Sequence, residues 1–261
     1  MGVIKQNFKI LFSSGYSYSK ERYRGSFLEK DCDLSQIKSL QPLERRIFCF
    51  WTGDNEMSEN RLNAIASLRE KAEVEIVLVT SANLDKFILT DFPLHKGYQY
   101  LSAVHKSDYL RCYFMHHYGG GYSDVKAPGG SWKSSFDKLE KQTYKWIAGY
   151  REIGKRGAAQ VEHPILAMDL VNNWQLLIGN GAYICHPYTP FTADWYNELH
   201  HRMDIYYRQL SEYPGNIMGD NEGYPIPWTG ILGQIFHPLC LKYMDGIIYS
   251  NKIKPVLSRY R

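Results

Sequence analysis

The most sharply patterned stretch of the chain is Ser102 to Lys126, SAVHKSDYLRCYFMHHYGGGYSDVK. Val104 to His117 contains no Gly or Pro, and Ala103, Leu110, Phe114 and His117 fall on one side at helical spacing, which predicts a helix with that side in the core. Gly119, Gly120 and Gly121 end it, because glycine takes the left-handed conformation at a helix C-terminus without a Cβ clash. A strand is expected at once, over Gly121 to Val125, where small or polar residues alternate with larger ones. It runs into the turn Ala127-Pro128-Gly129-Gly130.

Upstream, Arg46 to Trp51 is a short, nearly continuous apolar run that reads as a buried parallel-type strand, closed by Thr52-Gly53-Asp54. Ser58 opens a helix to about Ala72, with Leu62, Ile65, Ala66 and Arg69 at helical spacing, and Val74 to Thr80 is a second strand. Asn83 starts a short helix before Pro93, and Tyr98 to Leu101 reads as a further short strand. Such a strand–helix–strand run makes a right-handed crossover and a parallel sheet. Downstream come a short basic helix or loop (Ser131 to Lys141), a strand (Tyr144 to Tyr150) and a loop (Arg151 to Pro164). Two short strands follow around Gly179-Asn180-Gly181, and then an aromatic-rich helix from Thr189 to Leu210 with Trp195, Leu199, Met203 and Tyr206 on one face.

The pattern predicts an α/β fold: one domain over residues 43–250, a mixed, mostly parallel sheet flanked by helices. An irregular N-terminal extension (1–42) and a basic C-terminal tail (251–261) flank it. The 261 residues and 44% hydrophobic content suit one sizeable core. No run of eighteen or more apolar residues occurs, the start MGVIKQNFKILF has too short an apolar core for a signal peptide, and Gln6 stands where myristoylation needs Ser or Thr. The expected address is the cytoplasm. Cys32, Cys49, Cys112, Cys185 and Cys240 show no CxxC spacing and read as reduced, buried thiols.

A net charge of +4 is no argument for nucleic acid, and no binding module or continuous basic stripe is found. Lys5, Lys9, Lys20, Arg22 and Arg24 near the start, and Lys252, Lys254, Arg259 and Arg261 at the end, are interleaved with Phe8, Phe12, Tyr16, Tyr18 and Tyr260. Such ends could rest on an anionic bilayer, making the protein peripheral to the membrane, or be ordinary solvated termini.

Asp108 and Arg111, three apart on the predicted helix, are neighbours able to pair and still face a cleft; the same spacing also describes a structural salt bridge. Asp124, near the strand's exit, faces the crevice where open α/β sheets bind ligands. There is no GxGxxG and no P-loop.

Ser107-Asp108-Tyr109-Leu110-Arg111 followed by Tyr118-Gly119-Gly120-Gly121-Tyr122-Ser123-Asp124-Val125-Lys126 resembles the nucleotide-sugar-binding core of the sugar transferases that carry a DXD motif, the capsular-polysaccharide and mannosyltransferase-like group. In that group SDxxR precedes YGGxYxDxD. The match departs at its last position, where Lys126 stands for the second metal-binding Asp. The resemblance implies a GT-A (Rossmann-like) fold and a UDP- or GDP-sugar donor. It also implies a divalent metal, Mn or Mg, which Lys126 puts in doubt. It further implies that Trp51, Thr52 and Gly53 line the base and ribose pocket and that Asn180, ahead of His186-Pro187, lies near the donor sugar. Thr229-Gly230 resembles the family's TGP segment, a helix start suited to phosphate.

Asp124 and His237 are the candidate metal ligands, although a lone His is more often structural. Asp220 and Glu222 are candidate acceptor contacts or solvated loop residues. Arg151 to Pro164, with Lys155 and Arg156, is either a basic loop that closes over diphosphate or a surface loop. The expected activity is hexosyl transfer, with retention, from a nucleotide sugar to a glycan or lipid-linked glycan acceptor in polysaccharide synthesis. Asp108 and Arg111 would hold sugar hydroxyls, and the Lys126 ammonium would contact phosphate in the metal's electrostatic place, with Asp124 holding ribose or orienting Lys126. A sugar-phosphate transferase and a non-catalytic nucleotide-sugar-binding scaffold are the alternatives.

Overall fold

In the computed structural model, which describes residues 15–258, six strands form one mixed sheet in the order β2-β1-β3-β5-β4-β6. The strands are β1 (Arg46–Trp51), β2 (Glu75–Thr80), β3 (Gly120–Ser123), β4 (Ile147–Arg151), β5 (Ile178–Cys185) and β6 (Ile247–Tyr249). β1 pairs in parallel with β2 on one side and with β3 on the other, and β4 with β6, whereas β5 is antiparallel to both β3 and β4. The chain therefore leaves β1 for one neighbour and returns to its other side. The C-terminal ends of β1 and β3 bound the crevice at that reversal, the usual ligand position in such sheets.

Alternation along β1 divides the core into two layers. Phe48 and Phe50 pack with Phe114, Tyr122, Tyr183, Trp195 and Phe236, under α2 (Ala103–His117), α5 (Pro190–Glu212) and α6 (Gly233–Lys242). Ile47 and Cys49 point the other way, onto Leu68, Trp132 and Phe136 of the side covered by α1 (Glu59–Lys71) and α3 (Lys133–Glu140). The remaining helix, α4 (Pro164–Asn172), lies between the loop after β4 and β5.

The glycine run does what its conformational freedom allows. Gly119 and Gly120 have φ of +67° and +83°, and a Cβ on Gly119 would lie 2.6 Å from Pro187 Cδ, so the turn out of α2 packs directly against the His186-Pro187 corner.

Four expectations need correcting. Tyr98–Tyr100 is a 3-10 turn: β1 has partners on both sides, and the Tyr98 ring packs edge-on to Tyr109, with centroids 5.3 Å apart. Gln175–Cys185 yields one eight-residue strand instead of two: its register against β4 shifts between Gly149 and Arg151, opposite Gly179-Asn180-Gly181, and Gly179 leaves room for the Tyr150 ring. α1 buries Ala64, Ile65 and Leu68 and leaves Leu62 and Ala66 exposed, a face turned by about one residue toward the smaller side chains. Asn83 does not cap a helix by side chain; its amide accepts from Thr80 N–H and donates to the Leu78 carbonyl, closing the turn after β2.

The segments flanking 43–250 are packed on the sheet domain where they are described. Tyr23 and Leu28 are fully buried in the core, and Arg22 and the Tyr23 hydroxyl hold Asp169 at 2.6 and 2.8 Å. Ile253 is buried and Pro255 bridges Pro128. Lys5, Phe8, Lys9, Phe12, Arg259, Tyr260 and Arg261 lie outside the described residues. Among the described residues no helix is long and apolar enough to cross a membrane, and the five cysteines are free.

Candidate functional site

α2 begins at Ser102, whose hydroxyl accepts the His105 N–H at 3.1 Å, and a hydrogen bond from Val104 N–H to the Ile217 carbonyl ties its first turn to the 213–228 loop. This fixes the helix so that Asp108 and Arg111 both face a recess beside the sheet. Arg111 is the hub. Its guanidinium lies 3.5 Å from Asp108, 3.3 Å from Asp124 and 4.4 Å from the centre of the Tyr122 ring, and donates to the Asn180 carbonyl at 3.1 Å.

Asp124 lies one residue beyond β3, and its N–H continues the ladder to the Gly181 carbonyl at 2.8 Å. A Cβ on Gly181 would come within 3.1 Å of the Tyr150 hydroxyl and 3.2 Å of Asp124 Oδ2, so the strand approaches the carboxylate closely here. The Tyr122 hydroxyl donates to Oδ1 at 2.6 Å, and the Lys126 ammonium to Oδ2 at 2.8 Å. Burial works against the Asp124 carboxylate, but the charges of Arg111 and Lys126 and the hydrogen bonds from Lys126 and Tyr122 outweigh it and hold its pKa below the ordinary value. Asp108 goes the other way: burial raises its pKa, and Arg111 and His105 offset only part of this.

Two adjoining cavities meet at Arg111 and Trp228. The larger, about 560 Å³, is lined by Trp51, Thr52 and Gly53 on one wall and by Asp124 and Lys126 on another. The smaller, about 160 Å³, is lined by Asp108, Asn180, Thr229 and Gly233. The Trp51 indole N–H is held by the Asn55 carbonyl at 2.7 Å and the Thr52 hydroxyl donates to the Ala103 carbonyl, so this wall is braced against α2. Within the recess, Arg111 Nε and Asn180 Oδ1 are buried without a hydrogen-bond partner among the described residues. Orphaned buried polar atoms of this kind call for a ligand or ordered water.

Most of the residues singled out from sequence thus converge, from β1, α2, β3, β5 and the turn before α6. Gly230 does not line either cavity; it is buried in that turn, with its carbonyl accepting from Arg202 at 2.6 Å. His237 is also elsewhere. It is fully buried, its Nδ1 accepts the Ala159 N–H at 3.0 Å and its Nε2 donates to the Ile178 carbonyl at 3.1 Å, so neither nitrogen is left for a metal. Asp220 accepts from the Asn216 side chain in an exposed loop; it and Glu222 line neither cavity. Lys155 and Arg156 are exposed in a 3-10 turn outside both.

The sequence reading missed Arg61, Ile217, Met218 and the Trp228 side chain, all in the larger cavity wall. Arg61 donates to the Val125 carbonyl at 2.6 Å. A signal for it existed: a cation in the first turn of a helix opposes the helix dipole and asks for another reason to be there. Trp228, Ile217 and Met218 are 58%, 58% and 43% exposed, an apolar rim around a polar cleft.

The donor set does not suit a divalent cation. Such an ion needs several oxygens at about 2.1 to 2.5 Å, and both Asp124 oxygens are engaged, one by an ammonium. Among the described residues no group of three His, Cys, Asp or Glu side chains could hold a metal.

The sequence itself bears on what such a cleft serves. Residues 12–125 match the family model of the capsular polysaccharide synthesis protein. That span contains β1, α2 and β3, hence Trp51, Asp108, Arg111 and Asp124, and ends one residue before Lys126; Asn180 and Thr229 lie beyond it. The chain is similar to proteins of capsular polysaccharide synthesis over that stretch. No curated protein and no solved structure matches it.

Proposed function

We propose that the protein is a glycosyltransferase that moves a hexose or related sugar from a UDP- or GDP-sugar to a glycan or lipid-linked glycan acceptor in capsule-type polysaccharide synthesis. The observation that carries this reading is the pair of joined cavities. The larger has an aromatic and backbone wall (Trp51 to Gly53) and three cations, Arg61, Arg111 and Lys126, around one carboxylate. The smaller presents hydrogen-bonding groups, Asp108 and Asn180, at sugar scale. A nucleoside diphosphate suits the first and a pyranose the second.

In the reaction the bond from the anomeric carbon to the diphosphate oxygen breaks as the carbon becomes cationic, the acceptor hydroxyl oxygen bonds that carbon, and its proton passes to the departing, negatively charged diphosphate. Arg61 and Lys126 neutralise the departing charge in the larger cavity. Asp108 and the orphaned Asn180 oxygen accept hydrogen bonds from sugar hydroxyls, and Arg111 fixes both by pairing with the first and holding the backbone of the second. Neither Asp108, buried against Arg111, nor Asp124, saturated by Tyr122 and Lys126, is placed as a free base for an acceptor on the opposite face, which favours retention at the anomeric carbon.

Thermal unfolding in the presence of a panel of nucleotide sugars tests the reading. A matching donor should raise Tm by mass action, and Asn180→Ala should weaken the response to the nucleotide sugar more than to the bare nucleoside diphosphate. If no nucleotide or nucleotide sugar stabilises the protein, the reading fails.

A further inference from the structure

Asp124, Val125 and Lys126 form a tight turn in which Lys126 N–H donates to the Asp124 carbonyl at 2.7 Å. The turn brings the side chains of residues two apart together, and the ammonium closes on Oδ2 at 2.8 Å. Lys126 is no loose surface lysine: its side chain is 14% exposed, and both it and Asp124 face the larger cavity. Arg61 reaches the same turn from α1 through the Val125 carbonyl. The cationic arrangement is therefore built into backbone geometry and braced from a second element.

We infer that Lys126 is the resident cation of the diphosphate site, so that this protein binds the pyrophosphate of its donor without a divalent metal. The inference rests on the nucleotide-sugar reading above and sharpens it. Its physical basis is charge balance. Two carboxylates loaded with one divalent cation carry no net charge, and neither does one carboxylate paired with one ammonium. Asp124 with Lys126 thus presents diphosphate with the electrostatics of a metal-loaded pair, and Arg61 and Arg111 add positive charge on either side. A lysine suits the task as a compact point charge, and Asp124 holds its ammonium in place at 2.8 Å. The carboxylate serves the lysine in turn by orienting it. A divalent ion added at Oδ2 would have to displace that ammonium and sit beside it, where like charges repel.

The test is calorimetric binding of UDP and GDP to the full chain in EDTA and in manganese, for the wild type, Lys126→Ala and Lys126→Asp. Wild-type affinity should be the same in both buffers, and Lys126→Ala should weaken it at least about tenfold, the scale of one lost charge-assisted contact. Lys126→Asp should bind nucleotide only with manganese, and should itself bind manganese, visible as loss of the free-ion signal in electron paramagnetic resonance. Nucleotide binding by the wild type that requires manganese, or survives Lys126→Ala unchanged, overturns the role of Lys126 and leaves the nucleotide-sugar reading standing. Absence of binding for both nucleotides in both buffers overturns the two together. Far-UV circular dichroism and thermal unfolding of Lys126→Ala and Lys126→Asp without nucleotide separate loss of binding from loss of fold.

Discussion

The guanidinium of Arg111 on α2 donates to the backbone carbonyl of Asn180 on β5 at 3.1 Å, tying the helix of the SDxxR segment to a strand 69 residues away. With Asp108 and Asp124 also in its reach, Arg111 is both a structural tie and a wall of the two cavities. Arg111→Met should leave the buried Asp108 without its cationic partner and take one of the cations from Asp124, and so lower unfolding free energy by about 3 to 5 kcal/mol. Urea unfolding checks this, and a change below about 1 kcal/mol would contradict the hub role.

Acid should destabilise the protein before its carboxylates titrate. Burial lowers the pKa of His116 to about 3 and of His117 and His237 to about 4, from an ordinary value of 6.5. For His237 burial is the cause, and a proton on Nδ1 would also expel the Ala159 N–H it accepts. The folded values lie below the unfolded one, so the unfolded chain takes up protons first. Stability is then complete above about pH 6.5 and falls as pH drops toward 4, by about 1.4 kcal/mol per pH unit for each histidine. The raised pKa of Asp108 opposes this weakly, and the lowered one of Asp124 adds to the loss at more acid pH. Denaturant midpoints at pH 7.5, 6.5 and 5.5 should decline in that order; a flat profile would contradict it.

Trp228 is an exposed member of the cleft wall, at 58%, and its carbonyl lies 3.4 Å from His105 Nε2. Trp228→Ala should therefore change stability by no more than about 0.5 kcal/mol. It should nevertheless raise the KM for donor or acceptor severalfold, because the indole borders both cavities. Steady-state kinetics beside thermal unfolding separates the two effects.

Gly119→Ala should be among the most damaging single-methyl additions. The residue has φ of +67°, and the new Cβ would meet Pro187 Cδ at 2.6 Å and the Cys185 carbonyl at 2.8 Å. Backbone strain and overlap together should cost about 2 kcal/mol or more. The urea midpoint of the variant measures it.

What could be read from sequence was what is encoded locally. β1 stood out as an apolar run bounded by polar turns, and α2 with the glycine run as a helical period stopped by residues that tolerate positive φ. Asp108, Arg111, Asp124 and Lys126 lie within nineteen consecutive residues, 108–126, so their proximity followed from one helix and one strand. Tyr98–Tyr100 failed because aromatic, strand-favouring residues were recruited to pack on Tyr109, which no local pattern reveals. Arg61 and the 217–228 rim reach the cleft only through tertiary packing, and His237 looked like a ligand only because its backbone partners, Ala159 and Ile178, are far off in sequence.

The most direct test of the account is release of nucleoside diphosphate from a panel of UDP- and GDP-sugars by the wild-type protein in EDTA, with and without glycan acceptors. The account predicts that one donor is turned over in EDTA at the rate seen with manganese, and that Lys126→Ala loses most of that turnover while remaining folded. Turnover that appears only with manganese, or is indifferent to Lys126, would contradict it.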